Sequence, residues 1–200
     1  MSQPGLLTII SGPSGAGKGT LCERLCREVP GIAFSVSATT RPPRPGEREG
    51  VDYFFVREPE FDRMLNGGEF LEWTTFDGHR YGTPRRFVEQ LLGEGKDVLL
   101  DIEVQGARQV KDRYPEAVSV FILPPSREEL RRRLLSRGTD PGQLERRLRT
   151  AEEQIKHMAG YDYVVVNDEV RLAVEKLRSI IVAEKCRITR QDPDLLKFLW

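Results

Sequence analysis

Residues 5–29 decide the fold, and they read GLLTIISGPSGAGKGTLCERLCREV. The opening is a short apolar run with β-branched residues, typical of a buried strand, and from Leu21 onward apolar residues recur at helical spacing. Between the two lies the segment Gly12-Pro13-Ser14-Gly15-Ala16-Gly17-Lys18. It fits the G-x-x-x-x-G-K pattern of a phosphate-binding loop, and it lies between a strand and a helix as that pattern requires. Glycine N–H groups and the helix N-terminus would surround phosphate oxygens, and Lys18 would reach the terminal phosphates. The alternative, a glycine-rich turn with a solvated lysine, is disfavoured by the flanking elements.

The residue after Lys18 departs from that pattern. The pattern has Ser or Thr there, whereas this chain has Gly19 and then Thr20, so a hydroxyl ligand for Mg²⁺ is missing. Mg²⁺ retains much of its hydration and can be held by nucleotide oxygens and water. We therefore expect Mg²⁺ to be bound together with the nucleotide, and we expect no metal site built from protein side chains.

The rest of the chain alternates strand-like and helical patterns, with one interruption. Residues 32–38, IAFSVSA, alternate like a single strand, and βα alternation resumes from residue 84. Residues 51–83 contain short strand-like pieces and one short helix, which indicates a small β-rich insertion. Continuous apolar strands between helices predict an α/β fold whose parallel sheet is covered by helices on both faces.

Composition excludes several classes of protein. The 31 basic and 31 acidic residues cancel, so no overall field favours nucleic acid or an anionic membrane. The apolar runs are far shorter than the ~20 residues of a membrane span. Three cysteines without zinc-ligand spacing, and no signal peptide before the first strand, indicate reduced thiols and a cytoplasmic protein. The sequence leaves open whether it is a monomer or a homodimer.

Arginine dominates the basic residues, with 24 of the 31. A guanidinium binds phosphate through two parallel hydrogen bonds and stays charged. Arg41 and Arg44 lie in the proline-stiffened loop TTRPPRPGEREG at residues 39–50, and we predict that they form a second phosphate site. For most other arginines, including most of the run Arg131–Arg133, we expect solvated surface.

At seven places the sequence resembles the guanylate kinase family, and the resemblance covers about residues 6–177. The matching stretches, in the family's order, are GPSGAGKGT (12–20), FSVSATTRPPRPGEREGVDYFFV (34–56), FLEW (70–73), HRYGTP (79–84), LLDIEVQGA (99–107), RGTD (137–140) with ERRL (145–148), and YVVVND (163–168). The resemblance implies the P-loop nucleoside monophosphate kinase fold. It implies a P-loop core of residues 1–37, 84–136 and 159–200, a GMP-binding insertion of residues 38–83, and a helical lid of residues 137–158.

The resemblance also implies roles for individual residues in transferring the γ-phosphoryl group of ATP to GMP or dGMP. Those implied to hold ATP are Gly12, Pro13, Ser14, Gly15, Ala16, Gly17, Lys18, Gly19, Thr20, Asn167 and Asp168. Those implied to bind GMP are Ser37, Arg41, Arg44, Tyr53, Glu72, Tyr81, Thr83 and Asp101, with Ser37, Glu72 and Thr83 reading the guanine. The implied catalytic residues are Lys18, Arg44, Arg137 and Arg147, the last two being lid arginines that reach the transferring group.

The chemistry of guanine agrees with the implied readers. Its Watson–Crick edge presents two donors and one acceptor, which a carboxylate and a hydroxyl complement, whereas AMP would leave both unpaired at ~1–3 kcal/mol each. Glu72 and Thr83 therefore disfavour an alternative P-loop kinase acting on AMP, UMP or a ribose phosphate. A second alternative is a non-catalytic guanylate-kinase-like module that binds phosphopeptides, and the complete loop with Lys18 argues against it.

Overall fold

The computed structural model describes residues 4–76, 78–136, 138 and 140–191. Its strands are β1 (Leu7–Ser11), β2 (Ile32–Phe34), β3 (Ala38–Thr39), β4 (Phe54–Phe55), β5 (Phe70–Phe76), β6 (His79–Pro84), β7 (Asp97–Asp101), β8 (Val118–Leu123) and β9 (Tyr163–Val166). Its helices are α1 (Lys18–Glu28), α2 (Glu58–Asn66), α3 (Arg85–Gly93), α4 (Val104–Arg113), α5 (Arg127–Ser136), α6 (Pro141–Ile155) and α7 (Val170–Lys185). Two 3₁₀ turns cover Met158–Gly160 and Ile188–Arg190.

The central sheet has the strand order β2-β7-β1-β8-β9, and all its pairings are parallel. Neighbouring residues of β1 point to opposite faces, so Ile10 packs with Leu21 of α1 and Leu177 of α7 on one face. Ile9 packs with Val88 of α3 and Val110 of α4 on the other. The predicted α/β fold with a parallel sheet covered on both faces is confirmed.

A second sheet, in the order β4-β3-β6-β5, lies beside the first. It has its own small core, in which Phe61 of α2 and Phe70 of β5 pack ring against ring at 4.5 Å between centroids. Strand β5 pairs only with β6 within this sheet and therefore forms its edge. Three of its strands, β4, β5 and β6, lie with α2 at residues 54–84, where the sequence predicts a β-rich insertion over residues 51–83.

The prediction of one strand over residues 32–38 is wrong. Residues Ile32–Phe34 pair with β7 in the central sheet, whereas Ala38–Thr39 pair with β4 and β6 in the second sheet. The alternation of apolar residues continues through the junction because both strands are half buried, and alternation does not report which sheet a strand joins. Residues 35–37 thus connect the two sheets.

Helices α5 and α6 form a third layer next to the central sheet. Leu130 and Leu134 of α5 pack against Leu144 and Leu148 of α6 in a cluster of their own. Helix α5 begins after Ser126, whose hydroxyl oxygen accepts a hydrogen bond from the Glu129 N–H at 3.1 Å, as expected for an N-cap. Within the described part of the chain, no helix is both long enough and apolar enough to cross a membrane.

Candidate active site

The glycine loop between β1 and α1 has the backbone geometry that its sequence predicts. Gly17 has a φ of +93°, and a Cβ atom there would lie 2.4 Å from the Asn167 Nδ2. Gly12 has a φ of +140°, and its Cβ would lie 2.3 Å from the Ile122 carbonyl oxygen. Both positions therefore require glycine. The Lys18 ammonium donates to the Gly12 carbonyl at 2.7 Å, so the lysine folds back over the loop that it serves.

Two side chains from distant parts of the chain support the loop from behind. The Asn167 side chain, 2% exposed, donates to the Ala16 carbonyl at 2.7 Å. Arg133 donates to the same carbonyl at 3.2 Å and to the Asn167 carbonyl at 2.9 Å. Arg131 and Arg132 are exposed, as expected for most of this run, whereas Arg133 is half-buried because it contacts the loop. The contacts of Asn167 are with the loop, and its place beside adenine stays a prediction, as does that of the exposed Asp168.

A cleft of about 390 Å³ opens where the loop meets the second sheet. Parallel strands of α/β proteins present their ligand sites at the carboxyl ends, which is where Asp101 and the loop lie. Many of the residues predicted from the sequence line this one cleft: Ser14, Gly15, Gly17, Lys18, Gly19, Ser37, Arg41, Arg44, Tyr53, Glu72, Tyr81 and Asp101. The structure therefore brings the two predicted phosphate sites into contact with the same space.

Arg41 and Arg44 have different environments within that cleft. The Arg41 guanidinium is 7% exposed and donates to both oxygens of Glu47 at 2.8 and 3.0 Å, while lying over the Tyr53 ring. The hydrogen bonds that Arg41 donates to the Glu47 carboxylate hold the pKa of Arg41 above its ordinary value. Arg44 is exposed, and its backbone N–H donates to the same Glu47 carboxylate at 2.7 Å. Glu47 thus fixes the loop and leaves the Arg44 guanidinium free to approach a phosphate.

Glu72 is a buried carboxylate at the floor of the cleft. It is 4% exposed, and its Oε1 accepts a hydrogen bond from the Thr83 hydroxyl at 2.6 Å. Burial raises the pKa of Glu72 to about 7, although hydrogen bonds from Thr83 oppose this and the nearby Glu103 adds to it. A half-ionised buried carboxylate facing a polar cleft is typical of a ligand-binding group. Thr83 itself is fully buried and does not line the cleft, so its predicted contact with guanine stays a prediction.

The loop and the end of β7 meet at Asp101. One Asp101 oxygen lies 3.9 Å from the Lys18 ammonium. A Cβ at Gly19 would lie 3.9 Å from the other Asp101 oxygen, which is ordinary contact. The position where the loop pattern has a hydroxyl therefore faces a carboxylate in this chain.

A smaller cleft of about 260 Å³ adjoins the first and shares Ser14, Phe76 and Glu103 with it. Its outer wall comes from α6, which contributes Arg147. This places one predicted lid arginine beside the glycine loop. The other, Arg137, lies outside the described residues. Of the remaining predicted loop residues, Pro13 and Ala16 are buried and Thr20 is exposed.

Sequence reasoning missed four residues of the site, which are Glu47, Arg133, Glu103 and Gln154. Glu47 fixes Arg41, Arg133 supports the loop, and Glu103 accepts a hydrogen bond from Gln154 of α6 at 2.5 Å. Glu47 lies six positions from its partner and Arg133 lies 117 positions from Ala16. No periodicity connects such positions, so a single sequence carries no local signal for them.

Comparison with known proteins agrees with this geometry. A family model described as guanylate kinase matches residues 5–184. The chain belongs to the guanylate kinase family. It is 53% identical over 188 residues to a protein of Desulfitobacterium hafniense named guanylate kinase, with 94% of each chain covered. It is also 53% identical over 196 residues to the guanylate kinase of Symbiobacterium thermophilum, covering 98% of this chain and 93% of that one.

Solved structures give the same result. The crystal structure of guanylate kinase from Anaplasma phagocytophilum is similar with a TM-score of 0.82 and 36% identity, covering 99% of this chain and 95% of that one. A shikimate kinase of Bacteroides thetaiotaomicron is 16% identical with a TM-score of 0.50, covering 88% of this chain and 98% of that chain, and shares the fold alone. The resemblance to the guanylate kinase family noted in the sequence is confirmed.

Proposed function

We propose that this protein transfers the γ-phosphoryl group of ATP to GMP or dGMP, giving ADP and GDP or dGDP. The observation that carries the proposal is the buried Glu72, hydrogen-bonded by Thr83, which lines one cleft with a phosphate-binding loop and the exposed Arg44. An ionised Glu72 accepts from the two donors of guanine, while the arginines of residues 39–50 take the GMP phosphate. The names of the relatives support the same assignment.

The proposed chemistry needs no general base. An oxygen of the GMP phosphate attacks the γ-phosphorus of ATP, so that a new P–O bond forms while the bond to the β-phosphate oxygen breaks and ADP leaves. Catalysis then consists of alignment and of charge stabilisation on the shared oxygens. Lys18 serves the donor phosphates, and Arg44, Arg137 and Arg147 are proposed to surround the transferring group.

Mg²⁺ fits this site as a partner of the nucleotide. In the described part of the chain, no group of three or more His, Cys, Asp or Glu side chains could hold a metal by itself. Asp101 faces Gly19 and lies beside Lys18, so its carboxylate could accept from metal-bound water without direct ligation. When bound, Mg²⁺ would neutralise charge on the phosphate oxygens.

We propose that the reaction takes place in the cytoplasm, and that the protein is a monomer or a homodimer with no nucleic-acid partner. A coupled assay of ADP formation tests the activity across GMP, dGMP, AMP, UMP and ribose 5-phosphate. We expect turnover with GMP and dGMP only. Turnover with another acceptor would reassign the substrate. Lack of ADP formation with every acceptor would favour a non-catalytic phosphopeptide-binding module.

A further inference from the structure

Strand β5 is irregular at the position of the proposed guanine reader. Phe70 pairs with Pro84 and Trp73 pairs with Gly82, so three steps along β5 match only two along β6. The extra residue lies at Leu71–Glu72. A bulge of this kind turns a side chain away from the direction that a regular strand would give it. Here Leu71 packs into the core below the central sheet, and Glu72 enters the cleft.

A bulge on an edge strand leaves backbone groups unpaired unless something else reaches them. Helix α4 of the core supplies the partners. The Gln109 side-chain oxygen accepts from the Trp73 N–H at 3.2 Å, and its amide nitrogen donates to the Trp73 carbonyl at 2.9 Å. Gln109 therefore pairs with Trp73 as a neighbouring strand would.

A second residue of the same helix binds the other side of the bulge. One terminal nitrogen of Arg113 donates to the carbonyls of Phe70 and Leu71 at 2.6 and 3.0 Å. Gly106, one turn before Gln109, completes the contact, since a Cβ there would lie 2.3 Å from a Glu72 carboxylate oxygen. Gly106, Gln109 and Arg113 are spaced at helical intervals and lie on one face of α4.

We infer that Gln109 and Arg113 are specificity-determining positioning residues, which hold the β5 bulge in the register that aims the Glu72 carboxylate at the guanine. The inference rests on the proposed function and deepens it. Neither residue touches the substrate. Their contribution is to the orientation of Glu72, and so it concerns the guanine and not the phosphates.

GMP and IMP separate this role from a general structural one. The hypoxanthine of IMP keeps N1–H and O6 but lacks the exocyclic amine of guanine, so only GMP gives Glu72 a second donor. Loss of a hydrogen bond to a charged group reduces binding about tenfold or more. A misdirected Glu72 loses two donors with GMP and one with IMP, so kcat/KM should fall further for GMP than for IMP.

The test compares Gln109→Met, which keeps the length of the side chain and removes both hydrogen bonds, with the wild type. Arg108→Met, at the exposed neighbouring position of the same helix, is the matched control. We expect kcat/KM for GMP to fall about tenfold further than kcat/KM for IMP, and KM for ATP to stay at its wild-type value. The control should match the wild type in all three.

Arg113 gives an independent form of the test. Arg113→Met should reproduce the loss of preference for GMP, and Arg113→Lys should restore part of it, because an ammonium can still donate to one of the carbonyls. Parallel losses for GMP and IMP, or unchanged kinetics in both Met variants, would overturn the inference while leaving the proposed function intact. If the wild type itself does not phosphorylate GMP, the proposed function fails first.

Discussion

At the scale of single residues, the ionised Glu72 proposed to bind guanine is expected to lower the stability of the ligand-free protein. Its carboxylate is 4% exposed and stands near Glu103, and burial raises its pKa from 4.5 to about 7. Without guanine, the ionised form has the Thr83 hydroxyl and backbone as its hydrogen-bonding partners. The free protein thus holds a poorly solvated anion, to which the proposed guanine would bring two further donors.

The free energy of unfolding of the ligand-free protein should therefore depend on the ionisation of Glu72. Between about pH 4.5 and pH 7 the folded state binds more protons at Glu72 than the unfolded state, so stability falls as the pH rises through this window. Glu72→Gln removes the charge. We expect its free energy of unfolding to exceed that of the wild type by up to about 3 kcal/mol at about pH 8, and by much less at about pH 5.

Urea unfolding of ligand-free protein at both pH values checks this result, and Glu60→Gln, at an exposed position, controls for removal of a carboxylate. A variant less stable than the wild type at the higher pH would show that Glu72 is well satisfied when ionised.

Recognition should move in the opposite direction. An amide at position 72 cannot accept from both guanine donors, so Glu72→Gln should lower kcat/KM for GMP by about tenfold or more. The wild-type kcat/KM should also rise with pH around an apparent pKa of about 7. Because the GMP phosphate titrates in both proteins, the difference between the two pH profiles isolates Glu72. GMP kinetics within twofold of the wild type would remove Glu72 from the guanine site.

At the scale of elements, the strand–loop–helix unit depends on Gly17 for two separate reasons. Its φ of +93° disfavours any other residue, and its missing Cβ leaves room for the Asn167 amide. Gly31 also has a positive φ, +85°, but a Cβ there meets nothing within 4 Å. The pair therefore separates backbone strain from steric exclusion.

We expect Gly31→Ala to cost about 1–2 kcal/mol of stability and to leave ATP binding unchanged. Gly17→Ala should add displacement of Asn167 from the Ala16 carbonyl, and so should weaken ATP binding by at least about tenfold. Calorimetric titration with a non-hydrolysable ATP analogue, beside thermal unfolding, measures both. Equal ATP affinity in the two variants would show that the Asn167 contact does not shape the loop.

The loop of residues 39–50 assigns different tasks to its two predicted arginines. Arg41 is held by Glu47 and Tyr53, whereas the Arg44 side chain is exposed. We expect Arg44→Ala to lower kcat/KM for GMP by at least ~100-fold, the effect of losing a bidentate ion pair with phosphate. Arg48→Ala, at an exposed position of the same loop, should stay within threefold of the wild type. Steady-state kinetics at varied GMP and saturating ATP measures both effects. If kcat/KM for GMP were unchanged in Arg44→Ala, the acceptor phosphate would bind elsewhere.

The features of these elements that one sequence predicts are those that depend on contiguous residues. The glycine loop was predictable because each feature is local: the strand, the glycines, the lysine and the helix are contiguous. The separation of Ile32–Phe34 from Ala38–Thr39 was not, since both segments satisfy one alternating pattern and only tertiary pairing distributes them between sheets. Arg133 and Gln109 were missed for a related reason, because their partners are backbone groups in remote elements. Every residue has a backbone carbonyl, so residue types do not show which carbonyl a remote side chain will bind.

At the scale of the whole molecule, the charges that must surround one transferring phosphoryl group come from separate bodies. Lys18 begins α1, which packs on the central sheet, Arg44 belongs to the loop beside the second sheet, and Arg147 belongs to α6. The two clefts that they line are neighbours with shared walls at Ser14, Phe76 and Glu103. The hydrogen bond between Glu103 and Gln154 connects α6, part of the proposed lid, to the chain just after β7.

This arrangement predicts closure when both substrates are bound. Bringing Arg44 and Arg147 onto the same phosphates requires the second sheet and α6 to approach the glycine loop, which also excludes water that would otherwise accept the phosphoryl group. The bends should lie where the bodies join the core, near Ser37, Thr83, Gly138 and Met158. Solution X-ray scattering with a bisubstrate analogue should give a smaller radius of gyration than the free protein, and GMP alone should give an intermediate value, since its proposed contacts lie in the cleft beside the second sheet and do not include α6. Identical profiles in all three states would mean that the site is already assembled in the free protein and that exclusion of water depends on the ligands themselves.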